Sequence, residues 1–434
     1  MGRSIYTKNI REVENKMEMN LNNEQSINLG NMLDDNMQVR MEVSNSGEVT
    51  LESGAISVDE LVVPLNVFKD IVNSAFKVGD YSEEIAQVIT LDFNKNGLIA
   101  RASNNFMDFE YNYSNYSYNQ DVHMSIDIKK LRDLLNTLDG DYNVKLEFDD
   151  NNGVVTMYVG ENLEGVYQIP KRMDASTYED IVIELRADLP YSEMHDMNYM
   201  EFVELLNQIK PIKEFVSKDA LKGVLFRDIV MCTDEHVLSM HKNIDALVND
   251  NFFIKDTICK SLSEMTFDDT KCRVGILSRL EESADWLVIS DGVKTLCTYV
   301  SRESGVPYEQ GHKFWDADFN IEVEIDTKKC LSVLKRLNIF LYNIGNDNSV
   351  PVIFDLDNNV LKIRTKESNA DETLLVRSNK MYKSTYNLPI KKLLKILSTV
   401  KSQTFTLSIN PEYTFCVCLS FDDMKCVVSV TDDK

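Results

Sequence analysis

Apolar and polar residues alternate in many short segments of this chain, a pattern typical of β-strands, whose successive side chains face opposite sides of a sheet. Between these segments lie six stretches in which apolar residues recur every three to four positions, as in amphipathic helices. We predict helices at residues 64–78, 127–138, 200–218, 254–265, 326–340 and 389–402. Each predicted helix follows a short strand and precedes two or three more. The sequence therefore predicts an α+β protein built from six β-α-β-β-β units.

Three of the predicted helices share one design, an apolar stripe bordered by basic residues. In the last helix the stripe contains Ile390, Leu393, Leu394, Leu397 and Val400, and the residues predicted to point away from it are Lys391, Lys392 and Lys395. In the second helix the stripe contains Leu131, Leu134, Leu135 and Leu138, with Lys129, Lys130 and Arg132 beside or opposite it. In the fifth helix the stripe contains Leu331, Leu334 and Leu337, which leaves Lys328, Lys329, Lys335 and Arg336 for solvent or a ligand.

Composition indicates the size and the compartment of the protein. With 434 residues, of which 43% are hydrophobic and 27% charged, the chain has enough apolar material for more than one packed core. No apolar run approaches the ~20 residues that cross a bilayer. Residues 1–30 are polar and lack a signal-peptide core, so we predict a cytoplasmic protein with no membrane partner. The eight cysteines include no CxxC pair and are predicted to be reduced structural thiols.

The charge balance differs between the predicted helices and the rest of the chain. The 46 Lys and Arg residues are outnumbered by 70 Asp and Glu residues, which gives a formal net charge of −24. This excess excludes an ordinary basic DNA-binding protein, because it repels nucleic acid on average. Within the six predicted helices, however, Lys and Arg outnumber Asp and Glu. A single basic helix face is usually only solvated, but six such helices favour an anionic ligand.

Motifs that carry catalysis are scarce. Neither GxGxxG nor GxxxxGK occurs among the 16 glycines. The five histidines are scattered, and no Cys/His group has the spacing of a zinc site. Acidic pairs such as Asp149/Asp150 are expected in the turns of so acidic a chain. We therefore predict that the protein is not an enzyme and has no cofactor and no metal site.

Two neighbouring segments carry a resemblance to a known protein family. LKGVLF at residues 221–226 and CTDEHVLSM at residues 232–240 resemble the LNGMLF and ATDGHRLA segments of the bacterial DNA polymerase sliding clamp, the beta subunit of the replicative DNA polymerase III holoenzyme. Four further segments are similar to the third domain of that family: VLKRLNIFLYN (333–343), VIFDLDNNVLKIRTK (352–366), ADETLLV (370–376) and KCVVSV (425–430). The resemblance covers residues 58–434.

The resemblance implies a fold and a function. The fold is three tandem clamp domains, each of two β-α-β-β-β units, and two subunits join head to tail into a ring. The domains would span residues 58–190, 191–316 and 317–434. They would follow an N-terminal extension at residues 1–57, partly disordered or with a hairpin near residues 39–52. The function is that of a processivity factor that encircles double-stranded DNA without sequence preference. Its implied partners are a replicative DNA polymerase, an ATP-driven clamp loader and a second copy of itself.

The resemblance also assigns roles to individual residues. DNA contact in the pore is implied for Lys129, Lys130, Arg132, Lys213, Lys255, Lys260, Lys328, Lys335, Arg336, Lys391, Lys392 and Lys395. A pocket for partner peptides is implied for Leu221, Thr233, His236, Leu238, Val427 and Ser429. The subunit interface is implied to include Ile339 and Phe340. Without the resemblance, the apolar members of these sets would be interpreted as core residues.

This chain departs from the family pattern at several positions. Glu235 and Val237 stand where the family has glycine and arginine, and the chain ends in SVTDDK instead of a tail rich in Met and Pro. These departures and the added N-terminal segment suit a divergent clamp encoded by a bacteriophage. Two alternative functions stay open: a clamp-fold protein that binds replication peptides without encircling DNA, and a magnesium-dependent nuclease, which would need a concentrated carboxylate site.

Overall fold

The computed structural model of the protein describes residues 38–43, 49–54, 56–78, 87–149, 152–172, 181–213, 216–234, 236–278, 285–341, 350–366 and 370–431. For residues 38–43, 49–54 and 210–213 it describes the backbone alone. The chain divides into two compact units. The smaller is formed by Met1–Val62, Phe93–Leu98 and Tyr113–Val122, and the larger by Val63–Asp92, Ile99–Asn112 and His123–Lys434. All candidate site residues named above belong to the larger unit.

The described residues contain seven α-helices, and six of them lie in the stretches predicted to be helical. They are α1 (Leu65–Val78), α2 (Ile128–Leu135), α3 (Tyr199–Lys213), α4 (Asp256–Glu264), α5 (Tyr308–Asp316), α6 (Thr327–Leu341) and α7 (Ile390–Leu397). The sequence pattern did not predict α5. It also predicted that α7 continues to residue 402, but the helix ends at Leu397. The hydroxyl groups of Ser398 and Thr399 donate to the carbonyls of Lys395 and Ile396 at 2.7 and 2.8 Å, and so satisfy acceptors of the last turn.

The first strands of the chain are β1 (Gln38–Val43), β2 (Val49–Gly54), β3 (Ile56–Val58), β4 (Leu61–Pro64), β5 (Val88–Asn94), β6 (Gly97–Ser103), β7 (Met107–Tyr113), β8 (Tyr116–Tyr118), β9 (Val122–Asp127), β10 (Asn143–Asp149), β11 (Val154–Val159), β12 (Gly165–Pro170), β13 (His195–Asp196), β14 (Gly223–Phe226), β15 (Ile229–Thr233) and β16 (Val237–Lys242). They are followed by β17 (Phe252–Lys255), β18 (Arg273–Ser278), β19 (Asp285–Ser290), β20 (Lys294–Val300), β21 (Ile321–Asp326), β22 (Pro351–Asp357), β23 (Val360–Thr365), β24 (Asp371–Leu375), β25 (Arg377–Ser378), β26 (Lys383–Pro389), β27 (Thr404–Ile409), β28 (Cys416–Phe421) and β29 (Met424–Ser429).

Two large sheets each join strands from distant parts of the sequence. The eight-stranded sheet has the order β13-β18-β19-β20-β7-β6-β5-β9, and the nine-stranded sheet has the order β17-β14-β15-β16-β29-β28-β27-β21-β25. Two four-stranded sheets have the orders β12-β11-β10-β4 and β24-β23-β22-β26. In the smaller unit β1 pairs antiparallel with β2, and β3 pairs parallel with β8. The predicted fold class, α+β, is therefore confirmed.

The six predicted helices form a connected row. Helix α1 contacts α2 and α4, helix α3 contacts α4 and α7, and α7 contacts α6. The order along the row is therefore α2, α1, α4, α3, α7, α6. Helices α3 and α4 also contact strands of the nine-stranded sheet, and α6 contacts β23 and β24 of a four-stranded sheet. The row brings together helices that lie far apart in the sequence, among them the basic helices α2, α6 and α7.

Two helices of the row begin with the same N-terminal cap, an aspartate side chain. The Asp127 carboxylate accepts the N–H of Lys130 at 3.0 Å before α2, and the Asp326 carboxylate accepts the N–H of Lys329 at 2.9 Å before α6. Such an N-terminal cap satisfies a backbone donor that has no partner within the helix. In α2 the residues Ile128, Leu131 and Leu135 are then buried. The predicted stripe is therefore correct at Leu131 and Leu135, whereas Leu134 is only half-buried.

All eight cysteines are free and buried, which confirms the prediction of structural thiols. In the part of the chain that the structure describes, no helix is both long enough and apolar enough to span a membrane.

Candidate functional site

The β16/β29 seam joins the predicted second and third domains. These two strands pair antiparallel, with Leu238 opposite Val427 and Val237 opposite Val428. The N–H of Ser429 donates to the carbonyl of His236 at 2.8 Å, which extends the pairing into the turn before β16. The segments CTDEHVLSM and KCVVSV, both of which carry the resemblance, thus meet in one continuous sheet.

The structure brings the six predicted pocket residues together around this seam. Thr233 of β15 lies opposite Leu238 of β16, and the Thr233 hydroxyl donates to the carbonyl of Val237 at 2.9 Å. Leu221 and Val427 are 7% and 6% exposed and share one hydrophobic cluster, against which the half-buried Leu238 packs. Ser429 is half-buried and His236 is exposed. The seam therefore offers an apolar floor with polar groups at its margin. Glu235 lies outside the described residues.

Helix α5, which the sequence pattern did not predict, covers part of the same cluster. Its residues Tyr308, Phe314 and Trp315 pack against the cluster. A Cβ atom on Gly311 would lie 2.6 Å from the Met231 sulfur and 3.3 Å from Leu238 Cδ2, so any larger residue would have to displace the Met231 side chain. Pro307 stands at the N-cap of the helix, one residue before the first helical position that proline favours. The helix was missed because it is short and only one of its residues, Gly311, is fully buried.

An aromatic group extends the apolar surface beyond the predicted residues. The rings of Phe314, Tyr413 and Phe415 lie 6.0–6.5 Å apart, centroid to centroid. Phe415 is 57% exposed, and its carbonyl accepts the N–H of Val430 at 2.8 Å, one residue past Ser429. An aromatic side chain as exposed as Phe415, with the half-buried Phe314 and Tyr413 beside it, suits contact with a partner. Sequence reasoning missed them because they come from two unrelated segments.

Polar contacts fix α5 to the turn between β14 and β15. The Tyr308 hydroxyl donates to the Asp228 carboxylate, and His312 Nε2 lies 3.1 Å from the same carboxylate. The Arg227 guanidinium stacks over the Tyr308 ring at 4.1 Å. Burial alone would raise the pKa of Asp228, but hydrogen bonds from Tyr308 and from the Ile229 N–H lower it below its usual value. The carboxylate is therefore charged at neutral pH and anchors the helix.

Most of the basic residues proposed for DNA contact are exposed on or beside the helix row. Exposed members are Lys129, Lys130, Lys255, Lys260, Lys328, Lys335, Arg336 and Lys395, and Lys391 is half-buried. Arg336 already pairs with Glu372, with Nε to Oε1 at 2.7 Å. Arg132 stacks over Phe76 at 3.7 Å, and Lys255 precedes α4 instead of lying on it. Lys213 ends α3, and its side chain lies outside those described.

Lys392 contradicts its assignment as a pore residue. We predicted that it points away from the apolar stripe of α7, but its side chain is 6% exposed and its ammonium group lies 2.6 Å from the Asp234 carboxylate. Ile396, one turn later on the same side of α7, is also buried, although the predicted stripe omitted it. The buried face of α7 is therefore shifted from the predicted stripe, because Leu394 and Val400 are only half-buried while Lys392 and Ile396 are buried.

The residues predicted at the subunit interface lie on the surface. Ile339 and Phe340 are 71% and 55% exposed at the end of α6, so neither is a core residue. Helix α6 contacts β24, the edge strand of its sheet. At the edge of the other four-stranded sheet, β12 exposes Val166 and Tyr167 to 55% and 39%. The structure thus presents two edge strands that each carry exposed apolar side chains.

His, Cys, Asp and Glu side chains form no group of three or more that could hold a metal ion in the described ranges.

Comparisons with known proteins identify the fold. No protein-family profile matches the sequence, and no curated protein sequence matches it. Among solved structures, the chain is similar to the DNA polymerase III subunit beta from Pseudomonas aeruginosa, with a TM-score of 0.68 and 14% identity over 85% of this chain and 99% of that one. It is similar to the DNA polymerase III beta subunit from Thermotoga maritima, with a TM-score of 0.69 and 11% identity over 86% and 100%. It is also similar to the Helicobacter pylori beta clamp bound to a DNA ligase peptide, with a TM-score of 0.65 and 15% identity over 86% and 100%. This chain therefore has the fold of the bacterial DNA polymerase III beta subunit, the sliding clamp.

Proposed function

We propose that this protein is a DNA sliding clamp, a processivity factor that encircles double-stranded DNA and tethers a replicative polymerase to it. The observation that carries the proposal is the row of six helices, which gathers exposed basic side chains on a chain with a net charge of −24. Contacts from Lys and Arg to phosphates are independent of base sequence and sensitive to salt. They therefore hold a duplex without fixing its position, as sliding requires.

The proposed ring contains three clamp domains from each of two subunits, with domain boundaries at residues 58–190, 191–316 and 317–434. Within one chain, β7/β20 and β16/β29 pairing would join successive domains. Between chains, the β12 edge of one subunit would meet the β24 edge of the other. An exposed edge strand has unpaired backbone groups that favour such pairing, and a twofold axis then closes the ring.

The partner site of the clamp would be the seam around Leu238 and Val427. Linear peptides commonly insert an apolar side chain into such a groove. A replicative polymerase, a DNA ligase and an ATP-driven clamp loader are the proposed partners, and polymerase tethering follows from the high local concentration that a ring on DNA creates. Such a clamp would act in the cytoplasm of a bacterial cell, including a cell infected by a bacteriophage.

A retention assay tests the encirclement. Because a closed ring can thread onto linear DNA but not onto a circle without a loader, protein at micromolar concentration is incubated with linear plasmid, the plasmid is circularised by ligation, and the complex is isolated by gel filtration before and after the circle is cut again. A ring should stay on the circle and leave the linear DNA through its ends. Equal retention on circular and linear DNA would reject encirclement and support the alternative of a clamp-fold protein that binds peptides only.

Charge reversal tests the helix row. Lys391→Glu with Lys395→Glu should weaken binding to a short duplex. The fall of log K with log salt should also become shallower, by roughly 0.9 for each phosphate that is no longer neutralised. The matched control is Lys362→Glu with Lys383→Glu, which reverses one half-buried and one exposed charge of the same predicted domain; these lysines already pair with Asp371 and Asp357. An equal loss of affinity in the control would show that net charge alone, and not the helix row, governs DNA binding.

A further inference from the structure

A buried ion pair joins α7 to the turn between β15 and β16. The ammonium group of Lys392 lies 2.6 Å from Asp234 Oδ2, and the two side chains are 6% and 0% exposed. A buried charge without its partner is costly, because water does not reach it to take the partner's place. Each of these residues therefore depends on the other, although one belongs to the predicted second domain and the other to the third.

The Asp234 carboxylate also closes the turn itself. Its Oδ1 atom accepts the N–H of His236 at 3.0 Å and the N–H of Val237 at 2.7 Å. The N–H of Asp234 in turn donates to the carbonyl of Val237 at 3.1 Å. One oxygen of the carboxylate thus holds the backbone of the turn while the other faces Lys392. The position of the turn is therefore tied to α7 through a single side chain.

The same turn carries candidate residues of the partner site. His236 is exposed in the turn, and its carbonyl accepts the N–H of Ser429. Leu238 follows two residues later, opposite Val427. A displacement of the turn would change how His236 and Leu238 are presented beside the last strand.

We infer that Lys392 is a positioning residue of the partner site, which acts through Asp234 on the turn that presents His236 and Leu238 to a bound peptide. The inference rests on the proposed function and deepens it, because it names a residue outside the pocket on which peptide affinity depends. Lys391 and Lys395 on the same helix are candidate DNA contacts. Helix α7 would therefore serve the DNA with one side and the partner site with the other.

The test measures peptide affinity on folded protein by fluorescence anisotropy. The probes are the DNA ligase peptide of the Helicobacter pylori complex and C-terminal peptides of replicative DNA polymerases, each labelled with fluorescein. Lys392→Met removes the charge and keeps the length of the side chain, and Asp234→Asn keeps an oxygen for the turn. We expect each variant to bind about 3- to 30-fold more weakly than the wild type, the range found for positions that act on a site without touching its ligand. The peptide affinity of the double variant should be no lower than that of the single variant with the lower affinity, because the two changes remove one interaction.

The matched control is Lys401→Met. Lys401 pairs with Glu204 of α3 at 2.5 Å, but these side chains are 63% and 46% exposed, so the pair should matter little. We expect unchanged peptide affinity in this variant. A similar loss of peptide affinity in Lys401→Met would overturn the inference. It would show that the loss of any contact between α3 and the end of α7 lowers peptide affinity.

The remaining outcomes separate the inference from the function on which it rests. A wild-type protein that binds none of the peptides refutes the proposed partner site, and the inference with it. Peptide binding by the wild type, together with wild-type affinity in both single variants, overturns the inference alone. Loss of the folded state in both single variants, seen by circular dichroism, would show that the pair holds the fold, and would also overturn the inference.

Discussion

The sharpest test of ring closure is a change of Ile339 and Phe340 to aspartate. Complete burial of an Ile or Phe side chain contributes about 1.5–3 kcal/mol. Because these two residues are 71% and 55% exposed in one subunit, burial at an interface would gain the exposed share of that free energy, about 2–4 kcal/mol for the pair. A head-to-tail ring contains two identical interfaces, so the double variant loses about 4–8 kcal/mol, which weakens the dimer at least about a thousandfold.

Sedimentation velocity from 0.1 to 50 µM protein would measure this change. We expect a dimer for the wild type and a monomer of unchanged thermal stability for Ile339→Asp with Phe340→Asp, because exposed side chains contribute little to the fold of one subunit. Met200→Asp is the matched control. Met200 is 63% exposed and lies on α3, not on either of the proposed interface strands β12 and β24. The reasoning fails if the double variant stays dimeric, if it unfolds, or if Met200→Asp dissociates equally.

Three further predictions concern the seam and the core. Leu238→Asp should weaken peptide binding roughly 30-fold, since the variant no longer offers an apolar surface that contributes about 2 kcal/mol, and titration of a labelled peptide against folded variant would contradict this if affinity were unchanged. Gly311→Val should lower the free energy of unfolding by about 1–3 kcal/mol, because its side chain would enter the space of Met231, and denaturant titration measures the effect. Burial raises the pKa of the Cys416 and Cys426 thiols to about 12, so at pH 8 the thiolate form is scarce and the native protein should react slowly with Ellman's reagent. All eight thiols should react once the chain is unfolded, and rapid reaction of the native protein would contradict their burial.

The sequence predicted the elements of the fold well, because their signals are local. Apolar periodicity located all six helices of the row. The order of the row was not predictable, since contacts such as α1 with α4 or α3 with α7 connect segments with no shared local pattern. The strand pairing of Leu238 with Val427 is equally non-local. The resemblance to a known family implied one pocket for both residues, but it did not predict the pairing of their strands.

Helix α5 shows a second limit of local patterns. Its packing against the core relies on a glycine, Gly311, whose missing side chain lets the backbone approach Met231. A pattern that counts apolar side chains assigns no weight to such a position. The aromatic residues Phe314, Tyr413 and Phe415 were missed for a related reason, because two of them precede β28 and one lies on α5. Their common surface exists only after the nine-stranded sheet has formed.

Lys392 shows why a basic residue on an amphipathic helix is not automatically a DNA contact. Periodicity defines one buried direction, but the buried face of α7 is shifted from it, and the Lys392 side chain at the border of the predicted stripe is buried beside Asp234. The cation is tolerated because Asp234, itself buried, supplies the opposite charge. Arg336 and Arg132 are also engaged within the chain, with Glu372 and with the Phe76 ring. The salt dependence of DNA binding should therefore follow the exposed lysines of the row, and a slope that required every basic residue of the helices would contradict this assignment.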